Sequence, residues 1–292
     1  MTKKILATIT TYNPEISLLE KNVDAVMPQV DKLIVYDNLS TNREQVITLC
    51  REKGVEVVLN DKNYGVAKPL YDGVEYADKN GYSYILTLDQ DSVLFDKTVE
   101  KLTELMLSDD GIAIVATQPK LSAEGLDVDV PCVGNTVDMV ITSGALADVA
   151  KIKAIGNYIP EMFIDRVDNE ICYRAVENDF KVIQSNVPMV HRLGASQKRR
   201  FLFRNVHVQH YSPMRYYYIF RNGYYCQKRY AGEKKIKPKT DRLRYFFKVL
   251  LYEKKKFIKF KAMIKGLRDG KTFYADMRRK YANTEVMGEN ER

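Results

Sequence analysis

The sequence YILTLDQD, residues 84–91, sets two carboxylates, Asp89 and Asp91, directly after a run of apolar residues. A short apolar run that ends in polar residues is typical of a buried strand in a parallel sheet. Carboxylates at positions i and i+2 can share one hard divalent cation, which prefers oxygen ligands and also binds phosphate. Because Asp is also common in the turns that end strands, the pair by itself is compatible with either interpretation.

Three similar runs precede this stretch, and each is followed by a helical pattern. Strands are predicted at 5–10, 33–36, 55–59 and 84–88, and helices at 14–28, 42–53, 66–79 and 97–107. Such alternation predicts a parallel sheet with right-handed crossovers, in a Rossmann-like α/β layout. Ligands of these sheets bind at the carboxyl ends of the strands. Those ends carry polar residues, namely Thr11, Tyr12, Asn13, Asp37, Asn38, Asn63, Asp89, Gln90 and Asp91.

Several protein classes are excluded by what the sequence lacks. No Gly-x-Gly-x-x-Gly follows the first strand and no Gly-x-x-x-x-Gly-Lys occurs, which argues against dinucleotide oxidoreductases and P-loop ATPases. The four cysteines form no Cys-x-x-Cys pair, which fits a reducing compartment rather than a zinc ribbon or a disulfide framework. No apolar run reaches the roughly 20 residues of a membrane span, and no signal-peptide cleavage site follows the first strand.

Charge is distributed unevenly along the 292 residues. Residues 1–191 hold 18 Lys+Arg and 30 Asp+Glu, whereas residues 192–281 hold 27 and 5. The split indicates an acidic catalytic half and a basic half that faces something anionic. Apolar residues within 241–268 recur near the helical period among lysines, which predicts one or two basic amphipathic helices on an anionic membrane surface. The alternative is that the apolar stripe packs on the catalytic domain and the lysines are solvated.

Two further segments carry candidate residues. If a helix begins near Asp168, its carboxylate sits at the positive end of the helix dipole and stays ionised, as a weak base that can accept a hydroxyl proton. The alternative is a helix cap followed by a helix that exposes Arg174. His191 follows a strand-like run at 187–190 and is a candidate third metal ligand, although a lone histidine at a strand end is also often structural.

The order of these segments resembles the family 2 glycosyltransferases with the GT-A fold, and among them the bacterial rhamnosyltransferases. The motifs that carry the resemblance are TTYNP (10–14), YDNLS (36–40), NYGVA (63–67), LDQDS (88–92), TSG (142–144), residues 163–174, HRLG (191–194), HYSPMRYYY (210–218) and Arg221-Asn222. Each motif is modest, but their joint order over residues 5–225 is specific. The fold expected from the resemblance is a Rossmann-like, mainly parallel GT-A sheet flanked by helices, with a basic helical C-terminal extension.

The resemblance also implies roles for the matching positions. Nucleotide-sugar binding is expected of Thr11, Tyr12, Asn13, Asp37, Asn38, Asn63, Gly65, Lys68, Asp89 and Gln90. The metal, Mn²⁺ or Mg²⁺, would be bound by Asp91 and His191, with Asp89 as a further ligand. Ser143, Gly144 and Arg174 would lie on the acceptor side. Asp168 would be the catalytic base, but Val167 replaces the Glu of the family's Glu-Asp pair, so Asp165 is a rival base.

These expectations combine into one predicted function. The chain is predicted to be an inverting, metal-dependent glycosyltransferase that adds a single sugar, L-rhamnose from dTDP-L-rhamnose, to a lipid-linked or saccharide acceptor in cell-surface polysaccharide synthesis. The predicted domains are a catalytic domain at 1–210, with a nucleotide-sugar part at about 1–118 and an acceptor part at about 119–210, and a basic C-terminal region at 211–292. The predicted location is cytoplasmic, peripheral on the inner face of the cell membrane.

Alternatives remain open at this stage. A UDP-hexose could replace the dTDP donor, and the oligomeric state, a homodimer included, is undetermined. A nucleic-acid-binding protein would explain the basic half but not the acidic half or the carboxylates at the strand ends. A nucleotidyltransferase would also use paired Asp on metal, but it would normally carry a Gly-rich loop near the first strand, and residues 10–14 contain no Gly.

Overall fold

The computed structural model describes residues 3–124, 126, 131–191, 197–201, 204–233, 236, 238 and 241–281. Two compact units share the chain: Met1–Phe163 with Val167–Arg192 form the first, and Ile164–Arg166 with Leu193–Arg292 form the second. Residues 192–194 of the HRLG motif lie outside the described residues.

The first unit alternates strands and helices over its first half and continues with shorter elements. Its strands are β1 Ile5–Thr11, β2 Lys32–Asp37, β3 Glu56–Leu59, β4 Tyr84–Asp89, β5 Ser92–Leu94, β6 Ile112–Lys120, β7 Gly134–Thr136, β8 Ala145–Asp148 and β9 Lys181–His191. Its α-helices are α1 Ile16–Val26, α2 Arg43–Lys53, α3 Ala67–Lys79, α4 Thr98–Leu107, α5 Val149–Ala154 and α6 Val167–Glu177. The four strands and four helices predicted for residues 5–107 are therefore all present.

The strands form one mixed sheet in the order β3-β2-β1-β4-β8-β6-β9-β5, with β7 paired to β9. The pairs among β1, β2, β3 and β4 are parallel, as predicted from the strand–helix alternation. β8 lies antiparallel between β4 and β6, a reversal that the sequence pattern did not indicate. β1 and β4 are buried along nearly their whole length, so apolar side chains on both of their faces leave water.

The registers bring the polar strand ends to one edge of the sheet. Thr11 at the end of β1 pairs with Asp37 at the end of β2, and Thr10 pairs with Asp89 at the end of β4. The edge that ligands use in open α/β sheets is thus the edge where the polar residues collect.

The second unit consists of a hairpin and three helices. The hairpin pairs β10 Gln197–Phe201 with β11 Arg204–Val208, and the helices are α7 Pro213–Arg229, α8 Arg242–Tyr252 and α9 Lys256–Tyr281. α9 approaches α7 closely at Gly266, where a Cβ atom would lie 2.4 Å from the carbonyl oxygen of Tyr217. Of the one or two helices predicted at 241–268, the structure has two, and the break between them falls at residues 253–255.

All four cysteines are free, and Cys50, Cys172 and Cys226 are buried while Cys132 is partly buried. Among the described residues, no helix combines the length and the apolar character that crossing a membrane requires.

Candidate active site

Three ligand-bearing side chains converge at the end of β4. Asp89 is its last residue, Asp91 follows two positions later, and His191 is the last residue of β9. The antiparallel pairing of β5 with β9 sets Ser92 opposite His191, 99 positions later in the chain, which brings the imidazole to Asp91. One ligand atom from each of Asp89, Asp91 and His191 lies within 4.8 Å of the others. Nδ1 of His191 lies 3.6 Å from Oδ1 of Asp91.

This donor set fits a divalent cation. Two carboxylates and one imidazole suit Mn²⁺ and Mg²⁺, and three protein ligands leave coordination positions for a diphosphate. The structure therefore brings together the three residues that the sequence analysis proposed as metal ligands, although they come from two distant segments.

A chain of buried hydroxyl groups lies behind these ligands. The hydroxyl of Ser143 accepts a hydrogen bond from the backbone N–H of Asp89 (2.9 Å) and shares another with the hydroxyl of Ser92 (2.6 Å). Ser92 in turn shares a hydrogen bond with Nδ1 of His191 (2.8 Å). Hydrogen bonds of this kind orient a ligand imidazole and fix its tautomer. Ser92 was not predicted as a site residue, although its position directly after Asp91 was a signal.

Ser143 and Gly144 were predicted on the acceptor side. Ser143 is 2% exposed, and its hydroxyl already forms the hydrogen bonds with Asp89 and Ser92. Gly144 has a φ of +74°, and a Cβ atom there would lie 2.2 Å from Oγ1 of Thr117. Ser143 therefore supports the carboxylate cluster from within the fold, and Gly144 occupies a left-handed position with no room for a side chain.

The loop after β1 is fastened to its neighbours by hydrogen bonds. The backbone N–H of Tyr12 donates to Oε1 of Gln90 (2.7 Å), which links this loop to the Asp89–Asp91 segment. Oδ1 of Asn13 accepts hydrogen bonds from the backbone N–H (2.7 Å) and hydroxyl (2.9 Å) of Thr41. The side chain of Tyr12 remains about half exposed, so its ring is accessible to a ligand.

Asp37 is buried and organises the loop after β2. Its carboxylate accepts hydrogen bonds from the hydroxyl of Thr11 (3.1 Å), the backbone N–H of Ser40 (3.0 Å) and Nε of Arg43 (3.1 Å). Both oxygens thus have partners within the protein. A carboxylate in this position holds the shape of the loop, whereas the direct contact with a nucleotide sugar predicted for it would require one of these bonds to be exchanged.

The segment around Gly65 depends on a close approach to Phe163. Gly65 has a φ of +70°, and a Cβ atom there would lie 2.1 Å from the carbonyl oxygen of Phe163. The same oxygen accepts hydrogen bonds from the N–H groups of Val66 (2.7 Å) and Ala67 (3.1 Å), at the start of α3.

Three polar residues predicted to bind the nucleotide sugar, Asn38, Asn63 and Lys68, form contacts within the protein. The side-chain amide of Asn38 donates to the carbonyl oxygen of Gly65 (2.7 Å), and Oδ1 of Asn63 accepts a hydrogen bond from the backbone N–H of Gly65 (2.8 Å). Lys68 forms an ion pair with Asp72 (2.6 Å). Lys68 lies in the first turn of α3, four residues before Asp72, and none of these contacts brings it to the metal ligands.

Asp168 lies in the first turn of α6, as predicted, and accepts a hydrogen bond from the backbone N–H of Asn169 (2.9 Å). One turn further along α6, the Cys172 thiol donates to the carbonyl oxygen of Val140 (3.7 Å). Val140 is three residues before Ser143, whose hydroxyl contacts Asp89. The helix that carries Asp168 is therefore packed against the loop that supports the carboxylate cluster, and its dipole stabilises the ionised form of Asp168.

Comparisons with known proteins identify the family and the fold that the chain resembles. Residues 7–130 match the family model described as "Glycosyl transferase family 2". These residues carry a family 2 glycosyltransferase domain. The predicted family resemblance and the predicted class of enzyme, a glycosyltransferase, are thereby confirmed.

Proteins similar to this glycosyltransferase include a rhamnosyl transferase and a mannosyltransferase. Over 240 residues, which are 77% of this chain and 80% of the relative, it is 27% identical to the dTDP-rhamnosyl transferase RfbF of Shigella flexneri. The solved structure of mannosyltransferase PcManGT from Pyrobaculum calidifontis, in complex with GDP-Man and Mn2+, matches with a TM-score of 0.59 at 14% identity. That match covers 98% of this chain and 81% of the other and confirms the predicted GT-A fold.

The remaining two predicted residues of the glycosyltransferase site are held by ion pairs. Arg174 is 5% exposed, pairs with Glu170 and donates from Nη1 to the carbonyl oxygen of Ile155 (2.9 Å). It is neither exposed nor presented to an acceptor, because α6 turns it into the fold. Asp165, the rival base, is bound by Arg215 at 3.2–3.3 Å through both carboxylate oxygens.

Proposed function

We propose that the chain is a metal-dependent, inverting glycosyltransferase that moves a single L-rhamnose from dTDP-L-rhamnose to an acceptor hydroxyl. The observation that carries the proposal is the cluster of Asp89, Asp91 and His191 at the end of β4. Asp168 lies at the start of a helix that packs against the neighbouring loop, and it supports the proposal as the catalytic base. The name of the Shigella relative supports the choice of a dTDP-rhamnose donor.

On the donor side, Asp89, Asp91 and His191 would hold Mn²⁺ or Mg²⁺. When bound, such a cation offsets the charge that a nucleoside diphosphate acquires as it leaves. The half-exposed ring of Tyr12 is the proposed contact for the nucleobase, and Gln90 ties that loop to the carboxylates. Asp37 is proposed to contribute to nucleobase binding indirectly, by holding the shape of the loop that its buried carboxylate organises.

On the acceptor side, Asp168 is the proposed base. Its carboxylate accepts the proton of the acceptor hydroxyl, whose oxygen attacks the anomeric carbon on the face opposite the diphosphate. The new glycosidic bond forms as the bond to the diphosphate breaks, and the configuration at the anomeric carbon inverts. Asp165 is less suited to this role, because its pairing with Arg215 opposes protonation of the carboxylate and occupies both oxygens.

We propose further that the acceptor is a lipid-linked saccharide in cell-surface polysaccharide synthesis and that the enzyme works peripherally on the cytoplasmic face of the membrane. The support is the exposed apolar and basic surface of the second unit, treated below. In this scheme residues 1–210 catalyse the reaction, with the donor bound by about 1–118 and the acceptor by about 119–210, and residues 211–292 provide attachment.

The test is a donor panel of dTDP-rhamnose, UDP-glucose and UDP-galactose, each with and without Mn²⁺, in which water takes the sugar in a slow hydrolysis and the released nucleotide is analysed. We expect dTDP from dTDP-rhamnose only when metal is present, and no release from Asp91→Asn. Asp96→Asn is the control, since it removes an exposed carboxylate from the same segment. Preferential release of UDP would replace the proposed donor, and formation of dTTP and rhamnose 1-phosphate on addition of pyrophosphate would indicate a nucleotidyltransferase.

The base is tested separately. Asp168→Asn is expected to lower turnover about 1000-fold while thermal stabilisation by dTDP-rhamnose with Mn²⁺ persists. Asp165→Asn is the matched comparison. Full activity in Asp168→Asn together with inactivity in Asp165→Asn would reverse the assignment.

A further inference from the structure

Helix α8 turns most of its large apolar side chains outward. Val249 is fully buried in the small core that α7, α8 and α9 share. Five other apolar residues are between 41% and 72% exposed, namely Leu243, Phe246, Phe247, Leu250 and Leu251. At 100° per residue these five fall within one continuous sector of the helix. Single exposed apolar residues need no explanation, but a contiguous set marks an interaction surface.

The surface continues across the turn into α9. Phe257, in the first turn of α9, is 83% exposed. The ring of Phe246 lies 4.7 Å from the ring of Phe260, which couples the two helices at this point. We refer to Leu243, Phe246, Phe247, Leu250, Leu251 and Phe257 as the apolar face.

Lysines border the apolar face without exposed acids among them. Lys254, Lys255 and Lys256 occupy the turn between the helices, Lys261 follows on α9, and all four are exposed. We refer to these four as the lysine rim. The acid of this turn, Glu253, is 3% exposed and accepts hydrogen bonds from the hydroxyl of Tyr216 and from Nζ of Lys259. The turn thus buries its negative charge and presents its positive charges to solvent.

These charges decide between the possible occupants. A second copy of the chain would bring two lysine rims into one interface. The acids that flank α8 in the described part of the chain, Asp241 and Glu253, already form ion pairs with Arg166 and Lys259 of the same chain. Nucleic acid would neutralise the lysines but leave the phenylalanines and leucines in water. An anionic bilayer satisfies both, since headgroup phosphates attract the lysines and apolar side chains enter the boundary with the acyl chains.

We propose that α8 and the first turn of α9 lie in the plane of an anionic phospholipid bilayer, with the apolar face inserted and the lysine rim at the headgroups. This attachment does not depend on which sugar is transferred. It deepens the proposed function by giving a physical reason for a lipid-linked acceptor, which would be confined to the same surface.

The test is flotation of the full chain with two kinds of vesicle. One contains phosphatidylcholine alone, and the other also contains about 30% phosphatidylglycerol, an anionic lipid that attracts basic segments. The full chain is expected to float with the anionic vesicles only. The triple variant Lys254→Gln, Lys255→Gln, Lys256→Gln should bind them about 100-fold more weakly, at about 1 kcal/mol per lysine. Its control, Lys21→Gln, Lys79→Gln, Lys97→Gln, removes the same charge from exposed positions of the first unit and should bind normally.

The apolar face is tested by Phe247→Ser with Leu250→Ser. Because both side chains are exposed, the melting temperature should not fall, whereas vesicle binding should drop about 30-fold, from partial burial of two large apolar side chains. Leu107→Ser with Leu121→Ser, which are exposed in the first unit, is the matched control.

Two outcomes would overturn the inference. One is a concentration-dependent dimer that Phe247→Ser with Leu250→Ser dissociates, without any vesicle binding by the full chain. The other is salt-sensitive binding of single-stranded RNA without vesicle binding. Both are separate from the proposed reaction, because metal-dependent release of dTDP from the donor is measured without vesicles and should be the same in these variants.

Discussion

Replacing Ser92 by Ala tests whether the buried hydroxyl chain holds His191 in position. The Ser92 side chain is fully buried and lies 2.8 Å from Nδ1 of His191 and 2.6 Å from the hydroxyl of Ser143. A buried polar group that loses its partner costs about 1–3 kcal/mol. Ser143 retains the N–H of Asp89 as a donor, so we expect a loss near the lower end, about 1 kcal/mol.

The larger effect is expected on metal binding. A hydrogen-bonding partner that orients a ligand imidazole contributes about 10- to 100-fold to metal affinity. Titration calorimetry with Mn²⁺, in the presence of dTDP, should therefore show affinity weakened by that factor in Ser92→Ala. Urea unfolding of the same variant measures the stability loss independently.

The control is Ser185→Ala. Ser185 is 2% exposed, and its hydroxyl donates to the carbonyl oxygen of Ala116 (2.8 Å), on the same sheet but away from the metal ligands. It should lose comparable stability and keep its Mn²⁺ affinity. Equal Mn²⁺ affinities in Ser92→Ala and Ser185→Ala would refute the reasoning, since His191 would then need no support from Ser92 or would not be a ligand.

Three other predictions concern the fold and its side chains. Gly65→Ala places a Cβ atom 2.1 Å from the Phe163 carbonyl oxygen at a φ of +70°, whereas Gly54→Ala has nothing within 4 Å at a φ of +68°. Urea unfolding should show a loss of about 1 kcal/mol for Gly54→Ala and a loss at least twice as large for Gly65→Ala; equal losses would contradict the close approach. Asp165→Asn breaks the pair with Arg215 and should lower the melting temperature while turnover stays within about tenfold. Burial raises the pKa of Cys172 to about 12, so at pH 8 it stays protonated and a disulfide reagent should modify the less buried Cys132 first.

Local patterns in the sequence determined the first four strands and helices. Each strand is an apolar run flanked by polar residues, and each helix has its own periodicity and end signals. Gly54 illustrates this, because the left-handed conformation that ends α2 is one that glycine adopts without strain. The polar residues at the strand ends were located by the same reasoning, since parallel strands joined by helices end at one edge of the sheet.

Distant pairings were decided by the tertiary structure. The insertion of β8 antiparallel to β4, and the pairing of β5 with β9 that brings His191 to Asp91, join segments whose patterns contain no information about each other. His191 was a candidate ligand from its residue type, but its approach to Asp91 depends on the register of that pairing.

Burial and partners also decided the roles of residues that look alike in sequence. Asp165 and Asp168 are three positions apart, and only the fold shows that one is paired with Arg215, 50 positions away, while the other begins α6. The periodicity of α8 predicted an amphipathic helix but not which of its apolar residues would face the protein. The structure buries Val249 and exposes Leu243 and Phe247, because helix packing selects one face and the period alone does not specify its partner.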